Sequence, residues 1–85
     1  MSKDKKLLQR FKAKPRDFTY NELQRMLGSL GYVETPLGKT SGSRVAFYNE
    51  ETKHMIRLHK PHPGNELKMY QIELILDELE ERGIL

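Results

Sequence analysis

The sequence predicts a two-layer α+β domain in the order α-β-β-β-α behind a short leader, and three features carry that reading. Thr19 and Glu22 have capping-box spacing ahead of an apolar stripe that stops at Gly31. Two segments, Ser43 to Tyr48 and Lys53 to His59, alternate side chains as half-buried strands do. From about Lys68 the apolar residues return to helical spacing and stop at Gly83. Three strands need a covering layer on their apolar face, and the two amphipathic helices are the elements available to supply it.

Taken in order, Leu7, Leu8 and Phe11 have the spacing of a short helix that Pro15 stops or redirects. Residues 1–18 read as a basic leader and residues 19–85 as the domain proper. In the first domain helix, Phe18 and Leu23 occupy the staple positions around the Thr19 cap, and Leu23, Met26, Leu27 and Leu30 form the stripe. Tyr32 to Thr35 is the first strand. The segment from Pro36 to Gly42, rich in glycine and hydroxyl residues, is a loop into the second strand. Asn49 to Thr52 supplies a turn into the third, and Pro61 and Pro63 end regular pairing because proline lacks a backbone donor. Tyr70, Ile72, Ile75, Leu76 and Leu79 repeat along the last helix, with Ile84 placed to contact Leu79 beyond the Gly83 stop.

At 85 residues without cysteine, the chain holds one small domain whose stability comes from packing and not from disulfides. Cysteine absence fits a reducing cytoplasm. No uninterrupted apolar run serves as a signal-peptide core or a membrane span, so a cytoplasmic protein is expected. The net charge of +3 is unevenly spread. Between Lys3 and Arg16 seven basic residues stand against one acidic residue, whereas Glu73, Asp77, Glu78, Glu80 and Glu81 crowd the C-terminal segment. That asymmetry favours a polyanion on one side of the molecule.

Alternation in the paired strands places Val45 and Phe47 with Ile56 and Leu58, and leaves Arg44, Arg57 and His59 together on the opposite face. Arginine donates in a planar fork and histidine exchanges a proton near neutral pH, a combination suited to phosphate, and RNA is the polymer expected there. Lys39, Ser43, Tyr48 and Lys60 join Arg44 and Arg57 as candidate RNA contacts. A bland reading stands beside this one, in which His59 and His62 shape a loop by bonding backbone. The Gly38 to Gly42 loop lacks P-loop spacing and does not lead into a helix, so it is read as a connector. His54, His59 and His62 have no tight ligand pair on one rigid element, and no metal or cofactor is expected.

The helix ending Leu30-Gly31-Tyr32, the Gly42-Ser43 pair ahead of Phe47, and the His59-Lys60-Pro61-His62-Pro63-Gly64-Asn65-Glu66-Leu67-Lys68 stretch before a final helix together resemble the HicA toxin family, from about Thr19 to Leu85. The resemblance implies a double-stranded-RNA-binding-like α-β-β-β-α fold. It also implies an mRNA interferase of a type II toxin-antitoxin pair, an endoribonuclease that cuts mRNA without metal and is silenced by a cognate HicB-like antitoxin. One departure matters. Family members commonly carry a catalytic histidine directly after the Gly-Ser pair, and here that position is Arg44. Guanidinium stays protonated and cannot serve as a general base, so proton transfer falls to His59 or His62, with Arg44 holding the scissile phosphate. His59 is the first choice because it shares Arg44's strand face. The alternatives are a noncatalytic RNA-binding module and a protein-interaction domain that docks an acidic partner on its cationic sheet face.

Overall fold

A computed structural model describes residues 2–37, 44–61 and 64–84. The elements are α1 (Ser2–Lys12), α2 (Tyr20–Ser29), β1 (Tyr32–Pro36), β2 (Arg44–Asn49), β3 (His54–His59) and α3 (Met69–Glu81). The strands form an antiparallel sheet in the order β1-β2-β3, which leaves β1 and β3 as edges. This is the expected α-β-β-β-α arrangement of an α+β domain.

The start of α2 follows from local chemistry. The Glu22 amide donates to the Thr19 hydroxyl at 3.2 Å, and the Thr19 amide donates to Glu22 Oε1 at 2.9 Å, so two donors left over by helix geometry are satisfied reciprocally. At the other end Gly31 takes a φ of 97°, a conformation costly for residues with a side chain. Asn49 works on both sides of this junction. Its amide nitrogen donates to the Leu30 carbonyl at 3.2 Å, while its oxygen accepts from the Glu51 and Thr52 amides and shapes the β2–β3 turn.

The inner face of the sheet carries Val45, Phe47, Ile56 and Leu58, buried under α2 and α3 with Leu23, Met26, Leu27, Ile72, Ile75 and Leu79. α1 packs into the same core. Phe11 is 0% exposed, its ring 5.0 Å from that of Phe18. Arg10 holds α1 down by donating to Asp17 at 2.6 Å and Glu22 at 2.9 Å while lying over the Phe18 ring. α3 ends as its sequence suggests. The Ile84 amide reaches the Leu79 carbonyl at 2.9 Å and that of Gly83 reaches Glu80 at 3.0 Å, the paired bonds of a left-handed helix stop.

Tyr70 departs from expectation. Its spacing places it in the apolar repeat of the last helix, yet it is 56% exposed, and Gln71 is buried in its place. The buried stripe runs through 71, 72, 75, 76 and 79, and Tyr70 lies one helical step outside it.

Candidate functional site

The β2–β3 register sets Arg44 directly opposite His59, Ala46 opposite Arg57, and Tyr48 opposite Met55. Because Val45, Phe47, Ile56 and Leu58 are buried against the helices, Arg44, Arg57 and His59 project from the outer face, and all three are exposed. Directly opposed side chains in an antiparallel pair start about 5 Å apart at Cβ, so the guanidinium of Arg44 and the imidazole of His59 can engage one ligand atom group together. Ala46, opposite Arg57, contributes only a methyl group to this face. A shallow concavity of about 200 Å³ is lined by Leu37, Arg44, Arg57, Leu58 and His59. Among the described residues, those that the register puts on this face include no carboxylate, so the positive charge is not internally neutralised.

Tyr48 is on the same face but half-buried, four residues along β2 from Arg44 and flanked by Met55 and Val33. Arg57 separates it from the Arg44–His59 pair. Lys60 is not part of this cluster. One residue past His59, it turns to the helix layer, where its ammonium lies 4.0 Å from Glu34 and 5.7 Å from the Tyr20 ring centroid. Its expected grouping with Arg44 and Arg57 is therefore corrected. The Glu34 carboxylate also accepts from Gln24, and burial, followed by the Glu34 carboxylate beside it, pushes the Tyr20 hydroxyl well above the usual phenol range. Lys39, Ser43 and His62 lie outside the described residues.

Two arrangements were not visible in the sequence. Gln71 clamps the segment after β3 at its base: its amide nitrogen donates to the His59 carbonyl at 2.9 Å, and its oxygen accepts from the Lys68 amide at 3.0 Å. One buried side chain thus fixes the backbone of His59 relative to α3. An isolated bridge adds a second tie, with the Tyr20 amide donating to Asn65 and the Leu67 amide to Phe18. His54, considered from sequence only as a metal ligand, is buried between the Tyr32 hydroxyl at 2.6 Å and Glu78 Oε1 at 2.7 Å. A carboxylate can only accept, so Nε2 donates to Glu78, and in a neutral imidazole that tautomer leaves Nδ1 to accept from the Tyr32 hydroxyl. Burial pushes the Tyr32 hydroxyl above its ordinary range. This chain ties β1, β3 and α3 together at the end of the sheet away from His59.

The charge asymmetry of the sequence is partly cancelled in space. α1 packs beside α3, and Lys14 pairs with Glu73 at 3.8 Å, so the basic leader and the acidic helix share the helix layer. The sheet face owes its fixed positive charge to Arg44 and Arg57. No helix among the described residues is long and apolar enough to cross a membrane.

No curated protein and no solved structure matches the chain. A family model does: that of the HicA toxin of bacterial toxin-antitoxin systems, over residues 20–81. The match spans α2, the whole sheet and α3, which together build the cationic face, and it implies a cognate antitoxin as partner. The chain belongs to the HicA toxin family.

Proposed function

We propose that this toxin acts on mRNA, binding its backbone across the outer sheet face and cleaving it without a metal ion, and that its antitoxin is HicB-like. The observation that carries the reading is the β2–β3 register, which opposes Arg44 to His59 on an exposed face with Arg57 beside them. In the proposed step His59 takes the proton of a ribose 2′-hydroxyl. The 2′ oxygen attacks the adjacent phosphorus, the bond to the 5′ oxygen breaks, and the proton is returned to that leaving oxygen. The products are a 2′,3′-cyclic phosphate and a free 5′-hydroxyl. Arg44 and Arg57 would stabilise the charge on the pentacoordinate phosphorus, a task for a fixed donor that never deprotonates. His62 is the alternative proton carrier.

The family's usual histidine position being Arg44 supports a second reading, in which the face binds RNA and does not cut it. One experiment separates them. Protein prepared in excess EDTA is incubated with end-labelled mRNA, and the fragment ends are identified. Cyclic phosphate ends support cleavage; binding without fragments supports the noncatalytic module; neither binding nor fragments overturns the RNA reading.

A further inference from the structure

A second concavity adjoins the cationic one. Between edge strand β3 and α3 runs a groove of about 250 Å³, with Ile56, Leu58 and Ile75 lining it beside the side chains of Tyr70 and Leu74. Those last two are 56% and 60% exposed and stand one helical turn apart, so with the groove they make a contiguous apolar surface open to a ligand. Arg57, Leu58 and His59 line both concavities, so the two meet across the end of β3. Among the described residues, β3 is an edge strand with no paired strand on that side to keep a ligand from passing over it.

We infer that this groove is a nucleobase subsite, in which the base next to the scissile phosphate leaves the sheet face at His59 and stacks on Tyr70. The inference rests on the proposed action on RNA. Charge sets the direction of the ligand: the guanidinium of Arg57 stands at the His59 end, which suits phosphate, while the Glu78 carboxylate at the other end repels it. An uncharged, flat ring fits the apolar stretch between them. The volume is below the roughly 300–1,000 Å³ of sites for drug-sized ligands, appropriate to a single ring system. The polar groups of the groove wall are partly engaged, because one Gln71 amide hydrogen serves the His59 carbonyl, its oxygen accepts from the Lys68 amide, and Glu78 Oε1 accepts from His54. Stacking every base has in common; the subsite therefore contributes affinity and alignment with little sequence preference.

The test uses a non-cleavable 2′-O-methyl RNA oligonucleotide and a series in which each base in turn is removed to leave an abasic sugar. Binding is measured for the wild type, Tyr70→Ala and Leu74→Ser; both side chains are exposed, and unchanged thermal unfolding verifies the fold. In the wild type, one abasic position should weaken binding by about 5- to 150-fold, the range of base stacking on an aromatic side chain. In Tyr70→Ala the same abasic position should cost little further affinity, because ring and base lose the same contact. Leu74→Ser should show a smaller loss at that position. Identical abasic profiles in wild type and Tyr70→Ala, with intact RNA binding, overturn the subsite and leave the proposed function standing. If Tyr70→Ala weakens only the complex with the antitoxin, the groove is a protein interface and the inference fails. Failure of any RNA to bind overturns both.

Discussion

Phe11→Ala tests whether the leader helix belongs to the folded core, since Phe11 precedes the family match at residues 20–81 yet is 0% exposed. Truncating a buried phenylalanine costs about 3–5 kcal/mol, combining lost transfer energy with the cavity left behind. Tilted ring contact with Phe18, centroids 5.0 Å apart, adds to the loss, while a helix near the chain start can settle into part of the void. A value of about 3 kcal/mol is therefore expected. For a chain of this length total stability is on the order of 4–13 kcal/mol, so one side chain outside the family segment would carry about a fifth or more of it. Urea unfolding followed by far-UV circular dichroism measures the difference, and at roughly 4–8 °C per kcal/mol the melting temperature should fall by at least about 12 °C. Phe11→Leu, which refills most of the space, should lose only about 1 kcal/mol. A loss below about 1 kcal/mol for Phe11→Ala would mean that α1 does not pack on the sheet domain in solution.

Thr19→Ala removes the hydroxyl that caps the Glu22 amide and should cost about 1 kcal/mol in denaturant unfolding; a negligible loss would show that α2 starts elsewhere. Gly83→Val should destabilise by about 1–2 kcal/mol, because φ is 73° there and left-handed backbone is unfavourable for a residue with a β-carbon. Among the described residues no atom lies within 4 Å of an added β-carbon, so Gly83→Asn should be better tolerated, and equal losses for the two would argue for a clash and not for backbone strain. Partial burial alone would raise the Glu22 carboxyl, but the Thr19 amide and the Arg10 guanidinium outweigh it and hold the group below its ordinary 4.5. A carboxyl depressed on folding stabilises the protein above its unfolded value and stops doing so as pH falls, so the stability gap between wild type and Glu22→Gln should narrow below about pH 4.5. A gap that stays constant from pH 7 to pH 3 would contradict that linkage.

The elements were legible because their signals are local. Thr19, Glu22 and Gly31 bound α2 within thirteen residues, and Gly83 with Ile84 closes α3 through bonds to the turn just before it. The cationic face was legible too, since strand alternation needs only neighbouring residues to put Arg44, Arg57 and His59 on one side. The same alternation puts Lys60 on the face opposite to His59, in agreement with its position beside Glu34 and Tyr20. What stayed hidden depends on long-range packing. The His54 contacts with Tyr32 and Glu78 join residues 22 and 24 apart, and they exist only once α3 lies along β3. Tyr70 carries the apolar signal of a core position while the polar Gln71 takes the buried place, because a difference of one helical step decides which faces the sheet.

The central claim is that His59 moves the proton while Arg44 holds the phosphate, and single-turnover cleavage measured beside equilibrium binding tests it most directly. His59→Ala should slow cleavage by about 10²- to 10⁴-fold, the usual worth of a positioned acid or base, and should leave RNA affinity nearly unchanged. Arg44→Ala should impair both. Undiminished cleavage by His59→Ala would contradict the account.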